Sequence, residues 1–333
     1  MKLKKEIIGI DVSKLTLDVF ILSLKHHFVV SNNPLGFSKL LQVIWKRLPN
    51  KKKENLFFCF EDTGKYSLPL CIFLNGEKLS FAMVPALDIK RSMGLVRGKS
   101  DKKDASVIAL YAWRKRDEIK STVFPAGSIV RIKQLLSLRN KLVKHKKAYQ
   151  TGMDDIQDYF KTGDSIFYLD VNKRVIKTLN AEIASIEKEI ETIIKSDPQV
   201  QKNYKVLKTV PGIGKIIAFY LIAYTHNFTK FENARKFCCY CGIAPFENSS
   251  GTSLQGRTKV NPLANKMIKA LLNMGALSTI RHYPEFKSYY NQRIEKGYNK
   301  MSTINIIRNK IVFRAFSVVK RGSTYVDLYK FAA

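Results

Sequence analysis

Acidic residues are scarce in this 333-residue chain: 27 Asp and Glu stand against 58 Lys and Arg, a formal net charge of +31. An excess of this size points to a polyanionic partner, most simply nucleic acid. Cysteine is scarce as well. Five cysteines are too few and too unevenly spaced for a disulfide framework, which excludes the class of small disulfide-stabilised secreted domains.

Long apolar runs are missing too. No stretch approaches the roughly 20 residues that a membrane-spanning helix needs, which argues against a membrane protein. The first residues run directly into a predicted strand, so we expect no signal peptide and a cytoplasmic location. Hydrophobic residues still make up 45% of the chain, and the length suffices for two domains that each bury a core.

Two common site chemistries lack the residues that they require. The cluster of Cys238, Cys239 and Cys241 has no second ligand pair at a suitable spacing, so we reject a zinc site and predict buried small apolar residues on a helix. Ser249 and Ser250 have no His nearby in the sequence, so a hydrolase triad has no support. By composition alone, residues 248–259 are predicted to form a flexible polar turn ahead of a helix at residues 262–280.

Carboxylates appear where apolar strands end. The run at residues 6–10 predicts a strand buried on both faces, and it leads into Asp11. An unpaired carboxylate there would be costly, so Asp11 either binds a cation or opens a turn, and this stretch alone leaves both readings open. A second apolar strand, at residues 55–60, ends on Glu61, at the strand end where ligands gather in open α/β sheets.

A further acidic pair opens a predicted helix. Asp101 and Asp104 are three residues apart and share one helix face, where capping is their ordinary role. Together with Asp11 and Glu61, however, they make four carboxylates from three elements, enough to hold two hard divalent ions. Three strands at residues 7–12, 17–24 and 27–31, followed by alternating helix and strand, give the order expected of an RNase H-like fold.

These motifs carry a resemblance to a known family. The segments Ile-Gly-Ile-Asp11-Val-Ser-Lys, Phe-Glu61-Asp-Thr-Gly and Lys-Ser-Asp101-Lys-Lys-Asp104-Ala resemble the three blocks of a RuvC-like DEDD domain. Gly-Ile-Ala-Pro245, Ser250-Gly251 and Gly256-Arg257-Thr258-Lys259 are similar to the C-terminal block of the insertion-sequence-110 type transposases, which are bridge-RNA-guided recombinases.

The resemblance implies a mechanism and partners. Asp11, Glu61, Asp101 and Asp104 would be the metal-binding tetrad for Mg²⁺, with two ions, while Asp18 and Asp62 rank as structural. Ser250, rather than Ser249, would be the nucleophile that forms a covalent serine–DNA intermediate. The implied partners are donor DNA, target DNA and a structured noncoding guide RNA, in a homo-oligomer that is a dimer or a synaptic tetramer.

The middle of the chain is predicted to be helical. Apolar stripes at residues 127–160 and 171–195 predict a helical hairpin or coiled coil, packed within one chain or between chains, and the resemblance implies a dimerising linker. Residues 207–218 look like a helix-hairpin-helix turn, in which Gly212 and Gly214 either approach a phosphate or pack helices tightly. The nucleic-acid-binding candidates are Lys99, Lys102, Lys103, Lys144, Lys146, Lys147, Gly212, Gly214, Lys215, Arg257, Lys259, Lys266 and Lys269.

The sequence thus predicts an α/β plus α protein in three parts. A RuvC-like domain at residues 1–120 precedes a helical linker at 121–198 and a mainly helical transposase domain at 199–333. The predicted function is DNA transposition or recombination. Two alternatives remain at this point: a RuvC-like junction nuclease that uses water as its nucleophile, and a non-catalytic nucleic-acid-binding protein whose acidic residues are structural.

Overall fold

A computed structural model describes residues 5–92, 101–157, 166–250 and 254–326. It divides the chain into two compact units, Met1–Phe124 (unit 1) and Pro125–Ala333 (unit 2). Unit 1 is mixed α/β and unit 2 is mainly helical, which confirms the coarse prediction of an α/β part followed by an α part. The finer division into three domains stays a prediction.

Unit 1 is built on a five-stranded sheet. Its strand order is β3-β2-β1-β4-β5, with β2 antiparallel to both β1 and β3, and with β1, β4 and β5 mutually parallel. This arrangement is consistent with a RuvC-like DEDD domain. The elements are β1 (Glu6–Val12), β2 (Thr16–Ile21), β3 (His26–Ser31), α1 (Pro34–Arg47), β4 (Leu56–Glu61), α2 (Leu68–Gly76), β5 (Ser80–Val84), α3 (Ala86–Ser92) and α4 (Asp101–Arg114).

Both faces of this sheet are covered, which is why its central strands are apolar throughout. Ile8 and Ile10 of β1 point into a core shared with α1 and α2. Ile7 points the other way, into a second core that contains Ala105, Ile108, Ala109 and Ala112 of α4. Because successive side chains of a strand alternate between faces, this pattern tells which face each strand-end carboxylate shares.

Unit 2 is a helical assembly with one two-stranded hairpin in its described part. Asp197 caps α7 by accepting a hydrogen bond from the N–H of Val200, with Pro198 as the first helical residue, so α6 and α7 are separate helices. The elements are α5 (Gly127–Gln157), α6 (Ile166–Ser196), α7 (Pro198–Leu207), α8 (Lys215–Tyr224), α9 (Ala234–Tyr240), β6 (Pro245–Ser250), β7 (Leu254–Val260), α10 (Lys266–His282), α11 (Pro284–Glu295) and α12 (Lys300–Arg321).

The two long helices pack against each other within the chain. Arg139 pairs with Glu187 at 2.8 Å, and both side chains are largely buried. The apolar stripe of α6 is buried in its C-terminal half, at Ile186, Ile190 and Ile193. Its N-terminal half, with Val171, Val175 and Leu179, is only partly covered. The predicted packing within one chain is confirmed, and pairing between chains stays a prediction.

The prediction of a flexible polar turn at residues 248–259 was wrong. Most of this segment forms the antiparallel pair β6–β7, with Pro245 opposite Val260 and Ser250 opposite Leu254. Both strands are mostly polar in sequence, so they lack the apolar alternation that reveals a half-buried strand. The next helix starts at Lys266, capped by Asn265, four residues later than predicted. None of the helices in the described ranges is long and apolar enough to cross a membrane.

Candidate carboxylate face and serine hairpin

Asp11 and Glu61 lie on the same face and at the same edge of the unit 1 sheet. Alternation places Asp11 with Ile7 and Gly9, on the face that α4 covers, and Glu61 with Phe57 and Cys59 on that same face. The two strands are parallel neighbours in register, with Gly9 opposite Cys59. Both carboxylates are half-buried. We call this edge, with Asp11 and Glu61, the carboxylate face.

Helix α4 packs closely against this face because β1 has a glycine, Gly9, at the point of contact. A Cβ on Gly9 would meet the carbonyl oxygen of Ala105, the backbone nitrogen of Ala109 at 2.5 Å and its Cβ at 2.7 Å, so only glycine lets the helix sit this close to β1. Asp104 directly precedes Ala105, and Asp11 follows Gly9 by two residues. These short separations keep the α-carbons of Asp104 and Asp11 within roughly 15 Å.

The neighbouring acids have structural partners. Asp18 stands opposite Asp11 on β2, and its Oδ1 lies 2.8 Å from Nε2 of His27. The Oδ1 of Asp62 accepts a hydrogen bond from the N–H of Gly64 at 3.0 Å, which shapes the turn after β4. Both observations support ranking these two residues as structural.

The chemistry of the carboxylate face fits a hard divalent cation. Within the described part of the chain, neither Glu61 nor Asp104 has a Lys or Arg at ion-pair distance, and the buried hydroxyl of Thr63 lacks a hydrogen-bond partner. Carboxylate and hydroxyl oxygens are the donors that Mg²⁺ prefers. Three acidic, His or Cys side chains close enough to share an ion are not found among the described residues. Only the backbone of Asp101 is described.

Ser250 closes the β6 strand at the far end of the hairpin. Its backbone pairs with Leu254, and the three residues between them, including Gly251, lie outside the described ranges, as does the side chain of Ser250. Farther from the tip, Pro245, Phe246 and Glu247 are exposed. The backbone of the candidate nucleophile therefore belongs to the end of the hairpin that is farthest from its first residue, Pro245.

Two family models match the chain. One for DEDD transposases of the IS110 type, described as Transposase, matches residues 8–155, and one described as Transposase IS116/IS110/IS902 family matches residues 204–291. The chain belongs to the IS110 family of transposases. It is a DNA transposase or recombinase enzyme, and membership of a DEDD family implies the use of a divalent metal.

Two curated relatives illustrate the range of this IS110-family group. The pilin gene-inverting protein of Moraxella bovis is 25% identical over 338 aligned positions, which cover 97% of this chain and 98% of that protein. The transposase for insertion sequence element IS1111A of Coxiella burnetii is 26% identical over 212 positions, 55% of this chain and 56% of that protein. The first similarity extends over both units.

The candidate phosphate-binding cations of this IS110-family chain fall into two groups. Lys215 is occupied: its Nζ lies 3.3 Å from Glu187 and 3.1 Å from Glu191 of α6, an arrangement that ties α8 to α6. Lys103, Lys144, Lys147, Lys259 and Lys266 are exposed, and Lys146 and Lys269 are half-buried. Lys99 lies outside the described residues, as do the side chains of Lys102 and Arg257.

The predicted helix-hairpin-helix turn is used for packing at one glycine and is open at the other. Gly212 has a φ of +81°, and a Cβ there would meet Oγ1 of Thr279 and the carbonyl oxygen of Gly275 at 2.8 Å. Gly214 caps α8, and a Cβ there would have no neighbour within 4 Å. Tight packing therefore accounts for Gly212, whereas Gly214 alone remains available for close approach by a phosphate.

A basic groove between α5 and α6 escaped the sequence analysis. It encloses about 680 Å³ and is lined by Lys147 of α5 and, across from it, Lys173 and Lys177 of α6. The two lysines of α6 are four residues apart and so share a helix face. The spacing of these two lysines could have revealed the groove. The sequence analysis used only the apolar stripe of the same helix, which predicts packing between helices.

The cysteine cluster serves the core of unit 2. Cys238 and Cys241 are buried and Cys239 is half-buried. Burial raises the pKa of Cys238 to about 12, so its thiol stays protonated at neutral pH, as expected of a cysteine that packs in a core. The prediction of buried small apolar residues is confirmed for Cys238 and Cys241.

Proposed function

We propose that this protein is a recombinase that cuts and rejoins DNA with the carboxylate face of unit 1 and the serine hairpin of unit 2. Asp11, Glu61, Asp101 and Asp104 hold two Mg²⁺ ions in a RuvC-like domain, and Ser250 is the nucleophile. The main support is the placement of Asp11 and Glu61 on the face that α4 approaches through Gly9.

The proposed reaction has two stages. The carboxylates Asp11, Glu61, Asp101 and Asp104 would hold the divalent ions, which would supply Lewis-acid polarisation of the scissile phosphate and stabilisation of the leaving 3′ oxygen. The Oγ of Ser250 attacks the phosphorus, the bond from phosphorus to the 3′ oxygen breaks, and the 3′ end departs as a hydroxyl. The resulting 5′-phosphoserine bond keeps the energy of the broken bond, so a second 3′ hydroxyl can attack it and rejoin the strands.

The partners follow from charge and from the family. A net charge of +31 suits two duplexes and a structured noncoding guide RNA, with pairing to the RNA reading sequence while the protein reads backbone. The name of the Moraxella relative, a pilin gene-inverting protein, describes gene inversion, which supports strand exchange between two sites. The partly covered stripe of Val171, Val175 and Leu179 is the proposed contact for a second copy of the chain in the cytoplasm.

The test is a covalent-adduct assay on the full-length protein. The substrate is a labelled duplex that spans the joined ends of the element encoding this chain, supplied with RNA copurified from cells and with Mg²⁺. After denaturation, the wild type should carry labelled DNA, and Ser249→Ala should as well. Ser250→Ala should bind the DNA and form no adduct.

The opposite result identifies a different enzyme. If the wild type cuts DNA without forming an adduct and Ser250→Ala cuts at the same rate, water is the nucleophile and the protein is a metal-dependent nuclease. If neither protein cuts the DNA in any divalent metal, the recombinase proposal fails altogether.

A further inference from the structure

The backbone that leads into the serine hairpin is held by the last helix. The carbonyl oxygen of Ile243 accepts one hydrogen bond from Nδ2 of Asn305 at 2.7 Å and another from Nδ2 of Asn309 at 2.8 Å. The two asparagines are four residues apart on one face of α12, and together they use both lone pairs of that oxygen. Ile243 is fully buried, so its carbonyl would be orphaned without them.

A buried guanidinium orients the first of these asparagines, Asn305. Arg308 is 5% exposed; its Nη1 donates to Oδ1 of Asn305 at 3.4 Å, and its Nη2 donates to Oδ1 of Asn273 on α10. A guanidinium can only donate, so Asn305 must turn its oxygen toward Arg308 and its NH₂ group toward Ile243. Arg308 thereby selects the amide orientation that the hairpin root requires.

Burying the Arg308 guanidinium costs more folding free energy than an apolar side chain would at the same position. Among the described residues no carboxylate pairs with it, its Nε has no hydrogen-bond partner, and burial lowers its pKa. Apolar side chains of similar volume are commonly at least as stabilising as a buried charge. A costly polar group that fixes a geometry is typical of residues that serve function.

The other end of the hairpin returns to the same place. Gly242 has a φ of +64°, and a Cβ there would collide with Cβ of Ala264. The N–H of Asn265 donates to the carbonyl of Tyr240 at 2.9 Å, and its Nδ2 donates to the Tyr240 hydroxyl at 3.0 Å. Both roots of the hairpin are therefore fastened at residues 240–243.

Several residues between the two ends of the hairpin are exposed. Pro245, Phe246 and Glu247 of β6 and Thr258 and Lys259 of β7 all face solvent. A lone two-stranded hairpin has little stability of its own, so the direction in which it points depends on how its roots are held.

We propose that Asn305, Arg308 and Asn309 are positioning residues that set the direction of the hairpin and hence the location of Ser250 during strand cleavage. The inference rests on the proposed role of Ser250. Helix α12 lies beyond residues 204–291, the range that the transposase family model matches, so it adds a functional element to the C-terminal unit.

The double variant Asn305→Ala/Asn309→Ala tests this role in the adduct assay described above. Because two donors serve one acceptor, each single variant keeps a hydrogen bond, whereas the double variant leaves the buried carbonyl unpaired. We expect adduct formation to slow by about tenfold or more in the double variant and by less than about threefold in each single variant. Affinity for the duplex should stay unchanged, and hydrogen exchange at residues 243–247 should quicken.

Asn299→Ala is the matched control. Asn299 caps the same helix by accepting hydrogen bonds from the N–H groups of Met301 and Ser302 at 2.9 and 3.1 Å. Its replacement destabilises α12 by removing the N-cap, and it leaves both hydrogen bonds to Ile243 in place. Adduct formation well below the Tm should be unchanged. A loss that matches the double variant at equal Tm would reduce the asparagines to structural residues and overturn the proposal.

Arg308→Lys carries the test if the double variant fails to fold. Lysine keeps the charge but not the planar fork that orients two amides, so adduct formation should slow while DNA affinity is retained. If the wild type forms an adduct and every α12 variant forms it at the full rate, the positioning role is wrong, but the proposed role of Ser250 as the nucleophile stands. If the wild type cuts without an adduct, both fail.

Discussion

The carboxylate face and the serine hairpin position their reactive groups by different means. Asp11 and Glu61 end two neighbouring strands inside a five-stranded sheet, where register and two apolar cores fix the backbone. Ser250 stands near the tip of an exposed pair of strands that polar side chains hold at the roots. Apolar packing therefore fixes the backbone at the carboxylate face, whereas a few hydrogen bonds hold the backbone at the base of the hairpin. Changes of volume should damage the carboxylate face, and lost donors should damage the hairpin.

Removing charge from the carboxylate face should have the largest effect. Glu61→Gln and Asp104→Asn keep size and shape but remove a carboxylate that we propose as a metal ligand, so divalent-metal-dependent cleavage should fall to background while the Tm changes little. Asp62→Asn is the control, since an amide oxygen can still accept from the N–H of Gly64. Cleavage is measured on the labelled duplex across a Mg²⁺ titration. Full activity of Asp104→Asn would reduce that residue to a helix cap.

Adding volume at Gly9 should come next. A Cβ there would push against the carbonyl oxygen of Ala105 and the backbone of Ala109, forcing α4 and its acidic end away from β1. We expect Gly9→Ala to destabilise unit 1 by about 1–3 kcal/mol and to slow cleavage by about tenfold to a hundredfold.

The control for Gly9 is Gly76→Ala, at the end of α2, where a Cβ would have no neighbour within 4 Å. That variant should keep both its Tm and its cleavage rate. A Gly9→Ala protein with normal cleavage would show that the exact approach of α4 does not matter to the site.

The same contrast explains what the sequence could predict. Buried strands that end on Asp11 and Glu61 are visible as apolar runs, so the strands, their order and the acidic ends were predicted. The face of the sheet on which each carboxylate lies was not predicted, because continuous apolar runs lack the alternation that assigns side chains to faces. The role of Gly9 depends on a helix nearly a hundred residues away, and no local pattern reveals such a contact.

The hairpin was harder to predict for a physical reason. The two strands of the hairpin are mostly polar and show no apolar alternation, so residues 245–260 look like a loop by composition. The donors to Ile243 come from α12, some sixty residues later in the chain. Likewise, Lys215 looks available for phosphate until Glu187 and Glu191 of another helix are placed beside it. Hydrogen-bond and ion-pair partners that are far apart in the chain cannot be predicted from local sequence patterns.

A glycine pair in unit 2 should separate packing from phosphate binding. Gly212→Ala places a side chain at a φ of +81° against Thr279 and Gly275, so it should lower the free energy of unfolding by about 1–3 kcal/mol. Gly214→Ala has open space and should leave the Tm nearly unchanged. If a phosphate approaches the start of α8, Gly214→Ala should still weaken duplex binding. Unchanged binding by filter assay would assign this turn to packing alone.

The smallest expected effect is a pH dependence of unit 2 that arises from His226. Burial, with help from Lys230 and Lys133, lowers the pKa of this imidazole from its usual 6.5 to about 4. The unfolded chain then binds the extra proton at a higher pH than the folded chain, so stability is complete above pH 6.5 and is lost as the pH falls toward 4. His226 is only partly buried, so solvent screening limits the loss to about 1 kcal/mol.

This loss is measurable as a difference between variants. His226→Gln removes the titrating group, so its Tm should decline less than that of the wild type between pH 6.5 and 4, while the exposed His282→Gln should follow the wild type. Hydrogen exchange shows where the change occurs, because amides of α8 should lose protection and amides of the unit 1 sheet should not. Parallel pH profiles for wild type and His226→Gln would mean that the imidazole is as accessible to protons in the folded chain as in the unfolded one. In that case His226 would give unit 2 no response to acid that unit 1 lacks.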